Sequence, residues 1–393
     1  MKTLNKIIGA ALLTISLNSF AGDCPALSGQ YTIGKNEGSD FSSVADAINA
    51  LKCGGIEAAV TFRLEPGVYS EKITLSAIHG ASAYNTVTFE SKTGDNTTAV
   101  ISYSTSDATM ILNSASNISF NNITIRHSNA VYGNAMRVDG KTNNIHFKGV
   151  IFDGVEVARS GANSAAVYFT SNAPMNDVSL EDCEINNGSI GIVKGGMSAD
   201  TRDTKTSITG TLFFNQYEGG MALVNEDAPV ITSNVISSLS AYKGFTGINL
   251  DNVTNNLIIA NNIVTIVNGS VGLSMNNCLA QATNMGHINN NSISVGGKEQ
   301  ASGIKLSGST DNQIINFNRI KLTTTGPQAY YSNNASGNNV NLMNNIMYDL
   351  KTGAYTIIGN SYKDYFNQLP GQSNASLTAS ANGIMVEKVS PIK

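Results

Sequence analysis

A nine-residue unit that recurs along the chain is the feature that most constrains its fold. The unit reads Asn-Ile-Ser-Phe-Asn-Asn-Ile-Thr-Ile at 117–125 and Asn-Ile-His-Phe-Lys-Gly-Val-Ile-Phe at 144–152. Further copies begin near Asp177, Thr206, Pro229, Leu257, His287, Ile314 and Asn339. Self-similarity at a period of roughly 20–50 residues is typical of repeat architectures. The copies therefore predict one structural unit that is stacked many times along the chain.

Within each unit, the spacing of apolar residues predicts two short strands joined by a kink. The apolar residues Ile118, Phe120, Ile123 and Ile125 are separated by two, three and two positions. Side chains of a strand alternate between its two faces, so a spacing of three needs one extra residue before the second strand. That residue must tolerate left-handed backbone geometry. The pattern places such residues at Asn122, Gly149, Asp182, Asn234 and Asn262.

A third, shorter strand lies between successive copies, for example Ala-Met-Arg-Val-Asp-Gly at 135–140 and Gly-Ile-Asn-Leu-Asp-Asn at 247–252. Its predicted inward residues are Met136, Val138, Val167, Phe169, Ile248, Leu250, Ile304 and Leu306. Three short strands per repeat predict an all-β fold, a single-stranded right-handed parallel β-helix around an aliphatic stack. Five side chains are expected to lie over one another in that stack, namely Ile118, Ile145, Val178, Ile258 and Ile315.

Segments at both ends depart from the repeat. Residues 1–21 combine Lys2 and Lys6, an apolar run and Ser19-Phe20-Ala21, the layout of a cleaved secretory signal. Ser43 and Asp46 resemble a capping box and begin an apolar helical stripe, which predicts an amphipathic capping helix over 41–52. The predicted divisions are a signal peptide at 1–21, a cap with the first coils at 22–98, the β-helix at 99–360, and a C-terminal cap or loosely ordered tail at 361–393.

Composition and cysteine usage predict an exported protein without a nucleic-acid partner. The net charge is −4 and only 13% of residues are charged, with Lys and Arg scattered singly, so no basic stripe is present. After residue 21, no apolar run approaches the roughly 18 residues of a membrane span. Cys24 and Cys53 are predicted to form a disulfide, and Cys183 and Cys278 to be buried or loop thiols. The expected location is periplasmic, cell-surface or extracellular.

With its coils in place, the chain resembles the pectin-lyase-like superfamily of right-handed parallel β-helices. The segment 40–48, followed by Glu-Pro-Gly-Val-Tyr-Ser-Glu-Lys-Ile at 65–73, resembles the opening of pectin methylesterases. The stretch 30–94 is more similar to the N-terminal module of uncharacterised exported β-helix proteins of the Bacteroidetes type. That second resemblance implies the fold without naming a reaction.

The esterase resemblance implies catalytic residues that this sequence does not retain. Asn134 stands where the family has an oxyanion-binding Gln. Val157, one residue after Glu156, occupies the position of a catalytic Asp, and the strand beginning at Asp182 lacks the nucleophilic Asp. Acyl transfer needs both a carboxylate nucleophile and an acid/base group. Pectin esterase activity is therefore not expected.

Three groups of polar residues are candidate sites. Rows of outward side chains from successive coils form a ligand surface on a β-helix. The group suited to a sugar acid contains a cation, a carboxylate and an aromatic ring, namely Arg137, Asp139 and Tyr168. A second group on the short strands contains Asn249, Asp251 and Lys305. A loop cluster suited to acid/base work contains Arg126, His127, Asp153 and Glu156. For each group, an ordinary solvated surface is the alternative.

Two functions stay open at this point. No metal-ligand motif is present, so no cofactor is predicted, although a loop with Asp200, Arg202 and Asp203 leaves calcium as an alternative. The favoured function is non-catalytic binding of carbohydrate or another surface by an exported β-helix, with a polysaccharide or cell-surface glycan as partner. The alternative is a lyase, hydrolase or epimerase acting on an acidic glycan. The missing carboxylates favour the first.

Overall fold

The computed structural model of the protein describes residues 24–105, 107–129, 131–297, 301–323, 339–343 and 345, together with the strand backbone at 328–333, 346–348, 355–358, 362–365, 378–379 and 385–387. Over these residues the chain forms a parallel β-solenoid of about eleven turns with very little helix. The predicted all-β right-handed parallel β-helix with an N-terminal capping helix is thereby confirmed. The predicted signal peptide at 1–21 lies outside the described residues.

Each coil passes through three parallel sheets, which we number in chain order. Sheet 1 contains Leu27–Ile33, Ile56–Leu64, Val87–Ser91, Ile118–Asn121, Thr142–Lys148, Met175–Glu181, Thr206–Thr209, Val230–Thr232, Ile258–Ala260, Gly286–Asn289, Gln313–Asn316, Val340–Met343, Tyr362–Tyr365 and Met385–Glu387. Sheet 2 contains Gly67–Ser70, Ala99–Tyr103, Thr124–His127, Ile151–Asp153, Glu184–Asn186, Leu212–Phe214, Val235–Ser238, Ile263–Ile266, Ser292–Val295, Arg319–Leu322 and Ile346–Tyr348.

Sheet 3 carries the short strands between the repeated units. Its strands are Ile73–Ser76, Ala108–Asn113, Asn134–Asp139, Val167–Phe169, Ile190–Gly195, Gly219–Val224, Thr246–Asp251, Val271–Asn276, Ser302–Ser307, Gln328–Asn333, Tyr355–Ile358 and Thr378–Ala379. A separate two-stranded ladder, Asp203–Thr204 with Glu226–Asp227, lies outside these three sheets.

Inward side chains of successive coils form columns in the interior. The predicted inward residues of sheet 3 are buried, namely Met136, Val138, Val167, Phe169, Ile248, Leu250, Ile304 and Leu306. In sheet 1, four phenylalanine rings stack with centroids 5.0, 5.5 and 5.4 Å apart, in the order Phe62, Phe89, Phe120 and Phe147. Because the strands are parallel and in register, identical alternation in each coil places apolar groups directly over one another.

The predicted stack of five side chains is correct for three and wrong for two. Ile118, Ile145 and Val178 pair in one column and are buried. Ile258 is half-buried on the outer side of sheet 1, and Leu257 is buried instead. Ile315 is buried but belongs to the neighbouring inward column, two positions along the strand. The later copies begin earlier than predicted, by one residue at Ile258 and by two residues at Ile315.

The kink positions show the same one-residue shift. The left-handed residues are Asn122, Gly149 and Asp182 in the earlier coils, as predicted, with φ values of 49°, 61° and 52°. In the later coils they are Ser233 and Asn261, one residue before the predicted Asn234 and Asn262. The predicted kink residues are instead buried and start a hydrogen-bonded ladder of inward amides, Asn234, Asn262, Asn291, Asn318 and Asn345.

The helix Val44–Gly54 closes the N-terminal end. It begins three residues after the start of the predicted helix at 41–52 and ends two residues after its end. Ser43 accepts the backbone N–H of Asp46 at 3.0 Å, as the capping box predicts. The predicted apolar stripe is buried against the first coils, namely Val44, Ala47, Ile48 and Leu51. The predicted disulfide between Cys24 and Cys53 is present, with 5.6 Å between the Cα atoms.

The segment after residue 360 contributes short strands to two of the sheets. Tyr362–Tyr365 and Met385–Glu387 continue sheet 1, and Thr378–Ala379 continues sheet 3. The strand ladders therefore extend into the segment that the sequence pattern assigned to a cap or tail. None of the described helices has the length and apolarity required to cross a lipid bilayer.

Candidate functional site

A pocket of about 720 Å³ lies on the outer face of sheet 3 and contains part of the first predicted group. We call it the Arg137 pocket. Its lining residues are Asp107, Tyr132, Asn134, Arg137, Arg159, Ser160, Gly161, Ala162, Asn163, Ser164 and Tyr168. Arg137 and Tyr168 are direct partners on adjacent strands, because both occupy the same outward position of their coils. The parallel register thus places a guanidinium beside a phenol on one surface.

Arg137 is held between two carboxylates. Its Nε atom donates to Asp139 Oδ2 at 2.9 Å within the same strand. Its Nη1 atom donates to Asp107, which comes from the preceding coil, and Lys72 Nζ lies 3.5 Å from the same carboxylate. About a quarter of the Arg137 side chain is exposed. The guanidinium is therefore fixed in orientation while one edge of it remains accessible from the pocket.

The charge state of this group follows from its neighbours. Burial alone would raise the pKa of Asp107, but the hydrogen bond and the charge of Arg137 outweigh burial and bring the pKa below its usual value. Burial likewise opposes the charge of Arg137, yet the hydrogen bond to Asp107 raises the pKa of the guanidinium. Both groups are charged at neutral pH, so Asp107 is an acceptor of hydrogen bonds and not a donor of protons.

One wall of the pocket is an ordered loop that contains the short 3-10 helix Ala162–Ser164. The buried side chain of Asn134 donates to the carbonyl oxygens of Ala162 and Ala165 at 3.1 and 2.7 Å. Ser189 Oγ donates to Gly161 O at 2.6 Å. The Asn134 amide thus holds the wall of the pocket.

Arg159 lies at the rim of the pocket and is exposed. Among the residues that the structure describes, no carboxylate lies within ion-pair distance of it, in contrast to Arg137. Tyr132 is 46% exposed on the same pocket, and Tyr168 is half-buried. The rim therefore offers an uncompensated cation together with two aromatic faces.

Sequence reasoning did not identify Asp107, Tyr132, Arg159 or the loop wall. The connection from Asp153 to Val167 is longer than the corresponding connections of the coils on either side, from His127 to Asn134 and from Asn186 to Ile190. This local excess of length was the available signal, since long connections on a regular scaffold frequently carry function.

The second predicted group lies on the same outward face, several coils further along. Asn249 pairs with Ser274, which in turn pairs with Lys305, so two strand spacings separate Asn249 from Lys305. Asp251 accepts a hydrogen bond from Asn276 Nδ2 at 2.8 Å. Val193 and Ala222 occupy the outward row between Tyr168 and Asn249. The two groups are therefore separate surfaces.

The predicted loop cluster does not come together as one group. Arg126 and Asp153 form an ion pair at 2.7 Å on adjacent strands of sheet 2. His127 points to the interior and is 1% exposed, with its Nδ1 atom 3.1 Å from Thr109 Oγ1 and its Nε2 atom 3.2 Å from Tyr132 O. Glu156 is exposed in the following connection. The prediction that His127 lies in an outer loop was wrong, because His127 follows the inward Ile125 by two positions on the same strand and therefore faces inward too.

The three residues of the loop for which calcium was an alternative do not lie together either. Asp203 is completely buried, whereas Asp200 lies in an exposed turn and Arg202 donates to Asn252 Oδ1 at 2.9 Å. Across the described residues, no group of three or more His, Cys, Asp and Glu side chains is arranged to hold a metal ion. Cys183 and Cys278 are buried free thiols, and burial raises the pKa of each to about 12.

No protein-family model and no curated protein matches this sequence. The fold is similar to that of GH136 lacto-N-biosidase from Eubacterium ramulus, with TM-scores of 0.56 for the selenomethionine derivative and 0.51 for the native protein. Both comparisons have 10% identity and cover 92% of this chain and 68% of that one. A pectin methylesterase mutant in complex with hexasaccharide IV is 15% identical over 65% of this chain and 81% of that one, with a TM-score of 0.41. At 10% identity, the likeness to the lacto-N-biosidase shows the fold alone, a parallel β-helix.

Proposed function

We propose that this protein is exported and binds an acidic oligosaccharide in the Arg137 pocket without cleaving it. The observation that carries the proposal is the uncompensated guanidinium of Arg159 beside the partly exposed guanidinium of Arg137. Guanidinium groups bind carboxylates through paired, charge-assisted hydrogen bonds. A uronic acid presents such a carboxylate on a ring that is otherwise covered with hydroxyl groups.

The rest of the pocket fits a sugar ring. Asp107 is ionised and accepts hydrogen bonds from hydroxyl groups, while the exposed faces of Tyr132 and Tyr168 supply apolar contact area. The Asp107–Arg137–Asp139 arrangement is already formed by contacts within the protein. Preorganisation of this kind reduces the entropy lost on binding.

Binding without cleavage is supported by the protonation states. Glycoside hydrolysis uses one carboxyl group that stays protonated at working pH and a second that is ionised. The carboxyl of Asp107 has a pKa below its usual value, which removes it as a proton donor. Burial raises the pKa of Glu226, but this side chain is fully buried and does not line the pocket.

Export and a glycan partner are parts of the same proposal. The Cys24–Cys53 disulfide fits a protein that matures in an oxidising compartment. The solved structures of similar fold include a glycosidase, as its name states. We place the protein in the periplasm, on the cell surface or outside the cell, where polysaccharides are accessible.

Calorimetric titration with oligogalacturonate tests the proposal. Arg159→Ala should weaken binding by about tenfold or more, because a charge-assisted hydrogen bond contributes roughly 1.5–3 kcal/mol. Tyr168→Ala should weaken binding by about fivefold or more, because it removes the aromatic contact area beside Arg137. Arg63→Ala is the matched control, since that arginine pairs with Glu90 on sheet 1 and should leave affinity unchanged. A neutral oligosaccharide of equal length should bind more weakly.

The same samples distinguish binding from catalysis. Prolonged incubation with oligogalacturonate should release neither unsaturated nor reducing ends. If new ends appear and the Arg159→Ala and Tyr168→Ala variants abolish them, the pocket is an active site and the binding proposal is wrong. Equal affinity in the wild type and both pocket variants would also reject it.

A further inference from the structure

Three ionisable side chains meet inside the β-helix, at a place that the proposed function does not use. Lys194 is 1% exposed, and Asp203 and Glu226 are completely buried. Lys194 occupies the inward position between Phe169 and Leu223 in the adjacent coils. A cation therefore stands in a column that is otherwise apolar from Val138 to Leu306, through Phe169, Leu223, Leu250 and Met275.

The contacts of the lysine nitrogen are close and directed. Lys194 Nζ lies 2.5 Å from Asp203 Oδ2, 2.8 Å from Glu226 Oε1 and 3.2 Å from the carbonyl oxygen of Met175. Asp203 and Glu226 are paired residues on the separate two-stranded ladder. Both carboxyl groups are thereby presented to one nitrogen.

The two carboxyl groups have different second partners. Asp203 Oδ1 accepts the backbone N–H of Met175 at 2.8 Å, which withdraws electron density from that carboxyl carbon. Glu226 Oε2 accepts the hydroxyl of Thr206 at 2.6 Å. Each carboxyl group is therefore fixed by its second partner, and Asp203 is the one in closer contact with the lysine nitrogen, at 2.5 Å against 2.8 Å for Glu226.

A fully buried cluster of one cation and two anions is costly, because desolvation of buried charges commonly exceeds their mutual attraction. Burial raises the pKa of Glu226, although the charge of Lys194 opposes this. The aromatic ring of Phe169, with its centroid 5.9 Å from Nζ, adds to the apolar surroundings. Conversion of the ammonium and one carboxylate into a neutral group would remove two of the three charges.

We infer that Lys194 and Asp203 react to form an intramolecular amide, with Glu226 as the catalytic residue that transfers protons. The ammonium of Lys194 gives one proton, through Glu226, to Asp203 Oδ2, which leaves a neutral amine and a carboxylic acid. The amine nitrogen attacks the Asp203 Cγ atom and forms the new C–N bond. Glu226 then moves a proton from that nitrogen to the departing oxygen, the C–O bond breaks, and one water molecule is released.

The reaction is balanced without a co-reactant. An ammonium and a carboxylate become an amide and water, no atom is oxidised or reduced, and Glu226 ends in its starting state. Contact at 2.5 Å between two groups held by the fold supplies the proximity that such a reaction requires. A proton-transfer group in contact with the reacting nitrogen satisfies the geometric condition for general acid/base catalysis.

Peptide mapping of the denatured, reduced full chain tests the inference. Trypsin is expected to cut after Arg159, Lys194, Arg202 and Lys205 in an unlinked chain, which yields peptides 160–194, 195–202 and 203–205. In the linked chain, cleavage after Lys194 is blocked. The expected product is 160–202 joined to 203–205, or the single peptide 160–205 if cleavage beside the branch fails, in either case lighter by one water molecule.

Variants of Glu226 and Asp227 test whether Glu226 transfers the protons. Glu226→Gln should restore cleavage after Lys194 and the mass of the lost water, while Asp227→Asn, which changes the next residue of the same strand, should stay linked. Release of the three unmodified peptides from the wild type would overturn the inference. An amide that peptide fragmentation places on Glu226 would also overturn it. The loss of one water with cleavage after Lys194 intact would overturn it as well, because that result indicates a cyclic imide at Asp203.

Discussion

The inward asparagines of this β-helix are hydrogen-bonded to one another from coil to coil. Asn291 is the clearest case, since its Oδ1 atom accepts from the backbone N–H of Asn262 at 3.0 Å and from the Asn262 side chain at 2.9 Å. Its Nδ2 atom donates to Ile259 O and to Asn318 Oδ1, both at 2.9 Å. One amide therefore satisfies backbone groups at the bend of the coils and connects them, which explains why a polar residue is stable in an apolar column.

Asn291→Ala should destabilise the protein by about 3 kcal/mol, because it leaves a buried backbone N–H and a buried carbonyl without partners. Urea denaturation followed by circular dichroism measures the loss. Asn289→Ala is the control, since this half-exposed residue of the same strand region should change stability by less than about 0.5 kcal/mol. Equal losses in the two variants would contradict the ladder as a stabilising element.

At the scale of elements, the N-terminal helix closes the open end of the solenoid. Its first turn is capped by Ser43 and also by Glu71, whose Oε2 atom accepts the backbone N–H of Ala45 at 2.7 Å. Its last turn approaches the chain at Pro25 so closely that a Cβ on Gly54 would lie 2.2 Å from the Pro25 carbonyl oxygen. The disulfide from Cys24 to Cys53 holds this contact. The helix thus covers sheet edges that would otherwise invite association.

Replacing both cysteines, as Cys24→Ser with Cys53→Ser, should lower stability by about 3 kcal/mol for a closed loop of this length. The two residues are 29 positions apart, which sets the loop. Thermal unfolding of the double variant should match that of the reduced wild type. A variant as stable as the oxidised wild type would show that the helix is held by packing alone.

At the scale of the whole molecule, the described strands of each coil pair with those of the adjacent coils, and side chains of the connections reach at most a short way further, as Arg202 does to Asn252. The Arg137 pocket is built by successive coils that carry Asp107, Arg137 and Tyr168. The Lys194 cluster uses the coils next in order. A change several coils away should therefore leave both sites intact, provided that the inward and outward alternation is preserved.

Deletion of residues 262–290 should give a folded protein that is shorter by one coil. The deletion joins Asn261 to Asn291, which holds the ladder position of Asn262 one coil later, so every downstream side chain keeps its face. Far-ultraviolet circular dichroism should retain the β-sheet signal, and oligogalacturonate affinity should match the wild type. Deletion of residues 262–275 breaks the coil register and should abolish the cooperative unfolding transition. A cooperative transition in the second variant would contradict this account.

The fold and part of the site were predictable from alternation alone. Spacing of apolar residues placed Met136 and Val138 inward, and the same alternation placed Arg137 and Tyr168 outward on adjacent coils. Applied consistently, it also places His127 inward after Ile125, and Lys194 inward after Ile192. A charged residue at an inward position was therefore a readable signal of the buried cluster, although its partners were not.

What the sequence by itself determined is the β-helix, its capping helix and the face of most side chains, because these depend on local periodicity that each coil repeats. Only the tertiary structure decided that Asp107 reaches Arg137, that the loop after Asp153 forms a pocket wall with Arg159 at its rim, and that Asp203 and Glu226 meet Lys194. The physical reason is that these contacts join irregular connections to the regular coils, and their geometry depends on loop lengths and coil register that no periodic pattern encodes.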